Sequence, residues 1–238
     1  MGCYGTTVIT ALTSQNTLGV QNVMTVPPNI VISQIQSILD DFSVKSIKIG
    51  QIPNKEVAQT IVYALKLNNQ EERPKIPIVY DPVMISTSGR RLMQPDCIQY
   101  IQEHLFPYCY LITPNIPEAE QLIGHTLVND TNYLEAGQNL VQRHGTNILL
   151  KGGHAQGEIM IDRLFLADGK MHEYQHKKID STNLHGTGCT LSSAIASAIA
   201  LGANLPEAVR QAKTFVSEAI QRGKDLNIGH GNGPIWNF

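Results

Sequence analysis

The stretch His185-Gly186-Thr187-Gly188-Cys189-Thr190 concentrates groups suited to holding and attacking an anion. Two glycines let the backbone turn tightly into a helix. The free N–H groups at that helix start, together with its dipole, favour a bound phosphate. Cys189 falls in the first turn, where the dipole also favours the thiolate and makes this thiol more acidic than Cys97 or Cys109. A thiol so placed either accepts a proton beside a phosphate or packs as a small buried side chain. Both readings stand on the motif alone.

Further polar clusters each follow a short apolar run. They are Thr13 to Thr17, Gly50-Gln51, Asp81-Pro82-Val83, Thr113-Pro114-Asn115 with Glu118 close behind, and Lys151-Gly152-Gly153-His154. In open parallel sheets, ligands bind beyond the carboxyl ends of the strands, so these five clusters are expected to share one rim. Acids, amides and a lysine suit a metal–nucleotide better than an apolar ligand. Plain alternatives exist for each. Asp81 before Pro82 shapes a turn, Asn115 and Glu118 cap a helix, and Lys151 is a surface charge. In the functional reading, Asp81, Asn115 and Glu118 organise Mg²⁺ through waters, since that ion touches few carboxylates and takes phosphate oxygens for the rest. Lys151 then meets a phosphate. No GxxxxGK[ST] loop is present, and Gly186-x-Gly188 lacks the third glycine of a dinucleotide fingerprint. No histidine is assigned to a metal.

The elements that must carry these clusters alternate between β-branched runs and helical periodicity. Strands are expected at 8–12, 46–49, 76–80, 110–112 and 147–150. A hairpin is expected over 160–166 and 170–177, with a tight primed turn at Asp168-Gly169. Helices are expected at 30–39 with Asn29 as N-cap, 57–67, 96–105, 117–123, 133–143 closed by Gly145, 189–201 and 206–223. This alternation predicts a three-layer α/β fold with a mainly parallel sheet, as a single domain over 1–238. The 238 residues are 42% hydrophobic with a net charge of -2, enough for a sizeable core and without a basic stripe for nucleic acid. No apolar run approaches the roughly 20 residues of a membrane span. The start Met-Gly-Cys-Tyr-Gly-Thr-Thr has no basic or apolar leader pattern. Four scattered cysteines without a CxxC pair fit reduced thiols, so a cytoplasmic location is expected.

Together these motifs resemble the ribokinase-like superfamily, and within it the hydroxymethylpyrimidine/phosphomethylpyrimidine kinases of thiamine biosynthesis. The match runs nearly end to end: Tyr4 through Thr17, Lys48-Ile49-Gly50, Asp81-Pro82-Val83-Met84, Thr87-Ser88-Gly89, Ile112-Thr113-Pro114-Asn115 with Glu118-Ala119, Lys151 to His154, and His185 to Thr190. Cys189 stands where sugar kinases of the superfamily carry Asp, which points to the vitamin-kinase branch. The resemblance implies an ATP-dependent kinase that phosphorylates the pyrimidine alcohol and then its monophosphate. It implies that Gln15 recognises the aminopyrimidine ring, with Gln51 and Val83 in the same pocket. Gly186, Thr187 and Gly188 form the anion hole, and Cys189 deprotonates the hydroxymethyl group. Asp81 and Glu118 serve Mg²⁺ through water, and Asn115, Glu118, Lys151 and Lys213 serve ATP. A homodimer is implied as well.

Two departures accompany the resemblance. The family begins with a strand and a Gly-rich, Gln-Ala-Asp segment, and the chain is expected to lack that unit. The family commonly has Met where Gln51 stands. Pyridoxal/pyridoxine kinase of the same fold is the second reading, weakened because residues 85–91 lack the cysteine that dual-activity members carry there. A non-catalytic nucleotide-binding remnant is the third.

Overall fold

The computed structural model describes residues 1–68, 75–85, 92–152 and 158–238. Thr87-Ser88-Gly89, Gly153-His154 and most of the 85–91 segment therefore lie outside the described residues.

The chain begins with an extended stretch and then a two-stranded antiparallel ribbon, β1 (Ala11–Asn16) and β2 (Gly19–Thr25). This corrects the expected strand at 8–12 and the expected loop at Thr13 to Thr17. Neither strand has a buried residue and β1 is largely exposed, so a polar Thr-Ser-Gln-Asn run is compatible with pairing on either face. Alternation of apolar and polar residues marks strands that cover a core, and this ribbon covers little. Its tight turn is set by Asn16, whose Oδ1 accepts from the N–H groups of Leu18 and Gly19 at 3.0 and 3.3 Å. Helix α1 (Pro28–Asp41) follows. Its N-cap is Pro27, without a side-chain cap, and Asn29 lies inside the first turn. Proline at the start dispenses with an N–H that would be unpaired in any case.

Then come β3 (Ile47–Ile49), α2 (Lys55–Asn68), β4 (Ile78–Tyr80), α3 (Pro95–His104), β5 (Leu111–Ile112), α4 (Ile116–Ile123), α5 (Asp130–His144) and β6 (Asn147–Leu150). Strands β3 to β6 are parallel neighbours in sequence order. They continue into the antiparallel β7 (Ile159–Phe165) and β8 (Met171–Lys177). Among the described residues β3 is an edge of this six-stranded sheet and pairs only with β4. The hairpin turn is wider than expected. Leu166 and Lys170 are bonded, and the loop is Ala167-Asp168-Gly169, with Gly169 at φ 87°. A three-residue loop with glycine in the left-handed position is the common alternative to a two-residue primed turn.

Central strands are apolar without alternation because both faces are covered. On one side, Tyr80, Ile112, Ile148 and Leu150 pack with Val57, Ile61, Ile101 and Leu140 of α2, α3 and α5. On the other, Val79, Leu111, Leu149 and Leu164 meet α6 (Thr187–Ala200) and α7 (Leu205–Gly223). Small residues Ala194, Ala196 and Ala198 let α6 lie close to the sheet and to α7. That close seating brings the start of α6 over the carboxyl ends of the strands.

Candidate active site

Asp81 follows β4 directly, and its N–H donates to the Ile49 carbonyl of β3 at 2.9 Å. Asn115 and Lys151, beyond β5 and β6, form a parallel bridge. The three thus stand side by side on one rim because their strands are adjacent and in register. The start of α6 closes the rim from above: a β-carbon on Gly188 would lie 3.6 Å from both Asp81 Oδ2 and Lys151 Nζ. Gly186 is the N-cap at φ 89°, a left-handed conformation that a side chain would strain. Buried Asn183 fixes the approach to this turn. Its Oδ1 accepts from Gly233 N–H at 2.9 Å, and its Nδ2 donates to the carbonyls of Gly223 and Leu226 at 2.8 and 2.7 Å.

Asp81 is almost wholly buried. Lys151 Nζ donates to its Oδ1 at 2.8 Å, Thr113 Oγ1 to the same oxygen at 3.0 Å, and Ser192 Oγ to Oδ2 at 3.4 Å. Burial by itself would raise the Asp81 carboxyl. The charge and hydrogen bond of Lys151, the charge of Lys48 and the Thr113 hydroxyl outweigh it and hold the group below the ordinary carboxylate range. Burial likewise opposes the charge of Lys151, and Asp81 and Glu118 overcome it, so the ammonium is held.

Glu118 Oε2 lies 4.0 Å from Lys151 Nζ. The capping reading of Asn115 and Glu118 is also realised: Asn115 N–H donates to Glu118 Oε2 at 2.8 Å, and Glu118 N–H to Asn115 Oδ1 at 2.9 Å. The cap therefore aims the carboxylate into the site, and the two readings describe one geometry. Burial first, and the Asp81 charge next, raise Glu118 from 4.5 to about 7, against Lys151 and the N–H groups of Asn115 and Met84. The folded chain therefore holds a proton that the unfolded chain releases between those values. This contribution to stability is full below 4.5 and lost as pH rises through about 7. His144, lowered by burial to about 4, acts oppositely over an overlapping window, so the wild-type profile mixes the two. Glu118→Gln isolates the carboxyl. Its melting temperature relative to wild type is expected to rise between pH 5 and pH 8; a difference that stays flat would mean Glu118 is ionised throughout.

Cys189 is solvent-exposed on its outer side. A cavity of about 390 Å³ runs along α6 past Gly186, Cys189, Ser193 and Ser197, bounded by Met1 and Phe215. The expected acidification of this thiol is corrected. Burial of its inner side raises it, with Asp81 adding to the effect, and Lys48 and Lys151 only partly offset them. A helix start supplies a fraction of a charge, and a nearby carboxylate supplies a whole one. The expected ranking keeps a physical basis, because burial drives Cys97 to about 12 and Cys109 higher still.

Gln15 reaches across from β1, its Nε2 3.3 Å from His185 Nε2, so the ribbon lies against the glycine turn. Gln51 follows β3. Its carbonyl accepts from Thr10 Oγ1 at 2.9 Å, while its amide nitrogen is buried without a partner. Val83 stands beyond β4, its N–H donating to the Asp81 carbonyl at 2.8 Å. Lys213, expected to serve ATP, is engaged within the protein. Its ammonium is bound to Asp162, whose Oδ1 accepts from Gly152 N–H at 2.8 Å, so it supports Gly152 beside Lys151. The sequence reading assigned no role to Thr113, Ser192, Asn183, His185 or Lys48. Thr113, His185 and Lys48 belong to motifs of the family resemblance, and Lys48 also stands out as a charge within the apolar strand Ile47–Ile49.

A family model for phosphomethylpyrimidine kinase matches residues 1–236. The hydroxymethylpyrimidine/phosphomethylpyrimidine kinase of Haemophilus influenzae is 37% identical over 236 residues, covering 98% of this chain and 85% of that protein. The crystal structure of phosphomethylpyrimidine kinase from Clostridium difficile 630 has a TM-score of 0.77 and 40% identity, covering 92% of this chain and 87% of that one. The ADP complex of Bacillus subtilis pyridoxal kinase has a TM-score of 0.83 at only 26% identity, covering 98% and 86%. It is a more distant relative in sequence with the same architecture. The sheet is that of the ribokinase-like kinases, the reaction is an ATP-dependent phosphoryl transfer, and the chain belongs to the phosphomethylpyrimidine kinase family.

Proposed function

We propose that this kinase transfers the γ-phosphoryl group of ATP to the hydroxymethyl oxygen of 4-amino-5-hydroxymethyl-2-methylpyrimidine, and then to the resulting monophosphate. The product is the diphosphate used in thiamine biosynthesis. The observation that carries this reading is the seating of the Gly186–Cys189 turn directly over the Asp81–Lys151 pair, with Glu118 alongside. The N–H groups of Gly188 and Cys189, in the first turn of α6, have no intrahelical acceptor and suit the transferring phosphoryl group. Cys189 takes the proton of the hydroxymethyl group, its thiol facing Lys48 and Lys151. Lys151 and Asn115 face the nucleotide phosphates, and Lys213, through Asp162, holds Gly152 beside Lys151.

Asp81 and Glu118 offer hard oxygen donors on one rim. Mg²⁺ touches few protein carboxylates and keeps several waters, which suits these two side chains. When bound, Mg²⁺ neutralises charge on the phosphate oxygens. A homodimer, implied by the family resemblance, is checked by sedimentation velocity. Among the described residues, no helix is long and apolar enough to cross a membrane.

ADP release measured with the pyrimidine alcohol, its monophosphate and pyridoxal tests the substrate. Preference for pyridoxal would overturn the assignment. MgATP binding without ADP release on any acceptor would make the chain a binder.

Gln15→Ala is expected to weaken pyrimidine binding by about 1–3 kcal/mol, because an amide that can both donate and accept is lost from the ring. ATP affinity should be unchanged. An unaltered KM for the pyrimidine would remove Gln15 from the pocket and leave it as a partner of His185 alone.

A further inference from the structure

Two lysines face the start of α6, and their surroundings differ. Lys151 is clamped, 2.8 Å from Asp81 and 4.0 Å from Glu118, so its charge is already answered by carboxylates. Lys48 has no such clamp: among the described residues no ion pair holds it. It projects from the edge strand β3, and its Nζ occupies the place where a β-carbon on Gly50 would stand. A side chain at position 50 would push the ammonium away, so the glycine is what lets it fold over the carboxyl end of the strand. There its charge acts on the Cys189 thiol. Lys48 is therefore a half-buried cation outside any ion pair among the described residues, beside the thiol where the acceptor must be deprotonated.

The two acceptors of the proposed reaction ask for different help. The alcohol is neutral and must lose a proton as it attacks. The monophosphate brings roughly 1.5 to 2 negative charges at neutral pH, and its attacking oxygen is already deprotonated. It needs a cation and no base. We infer that Lys48 receives the phosphate of the monophosphate acceptor and so governs the second phosphoryl transfer. In that step an acceptor phosphate oxygen forms a bond to the γ-phosphorus of ATP. The bond from the γ-phosphorus to the β,γ-bridging oxygen breaks, and ADP leaves with that electron pair. No proton has to be removed from the dianion. Lys48 holds the incoming charge beside the anion turn while Lys151 remains with its carboxylates.

The inference rests on the proposed pyrimidine reaction, so both acceptors are assayed separately with Lys48→Met and Lys48→Arg. Lys48→Met is expected to lower kcat/KM for the monophosphate by about 10- to 100-fold more than for the alcohol, the size of one lost charge-assisted hydrogen bond. Lys48→Arg should restore most of that difference. Without ATP, calorimetric titration with the monophosphate should show the same loss of affinity in Lys48→Met, which makes the test independent of turnover. Equal losses on both acceptors, or wild-type affinity for the monophosphate, would overturn the role of Lys48. A wild-type chain that neither binds nor phosphorylates either pyrimidine would instead overturn the substrate reading, and Lys48's role with it.

Discussion

Cys189→Ala is expected to slow transfer to the pyrimidine alcohol by about 10²–10⁴-fold, the usual cost of removing a general base. The backbone turn from Gly186 to Gly188 does not depend on the thiol, so ATP affinity should survive. The monophosphate acceptor needs no base and should lose much less, the reverse of the pattern expected at Lys48. Single-turnover measurements on each acceptor separate these cases. Wild-type transfer to the alcohol by the alanine variant would leave Cys189 as a packing residue and place the base elsewhere. Alkylation gives a second view. Cys3 and Cys189 are exposed while Cys97 and Cys109 are buried, so the first pair should label first. Pyrimidine should protect Cys189 alone.

Asp81→Ala is expected to damage both stability and activity. Removing the carboxylate leaves Lys151 buried with its nearest counter-charge gone, and breaking a buried pair from one side costs about 3–5 kcal/mol. That is a large share of the roughly 5–15 kcal/mol that holds a domain together. The variant also loses an oxygen donor proposed for Mg²⁺, so the Mg²⁺ concentration needed for half-maximal rate should rise. The double variant Asp81→Ala/Lys151→Met separates the effects, because it removes both charges. Denaturant unfolding should show it recovering much of the lost stability, while activity stays low. A double variant as active as wild type would reduce the Asp81–Lys151 pair to a structural strut.

The buried part of the fold was legible because covered strands leave an uninterrupted apolar record. Ile78-Val79-Tyr80 and Ile148-Leu149-Leu150 were found within a residue or two of their ends. The β1–β2 ribbon was misplaced because exposed strands are not marked by burial, and Ser14, Gln15 and Asn16 look like loop residues in any reading of composition. Likewise, the hairpin at Asp168-Gly169 was recognised but its loop length was not, since the dipeptide serves more than one turn geometry.

By itself the sequence marked which residues could carry the chemistry. Gly186, Gly188 and Cys189 at a helix start, and acids, an amide and a lysine after apolar runs, are local patterns, and local backbone physics is written in neighbouring residues. Only the tertiary structure decided what those groups do to one another. It joined Asp81 to Lys151 across 70 positions and aimed Glu118 into the site through its cap. It also bound Lys213 to Asp162 and folded Lys48 back over Gly50 toward the thiol. The charge state of each group follows from burial and from the nearest opposite charge. Both are set by sheet order and helix seating, which no short stretch of chain encodes.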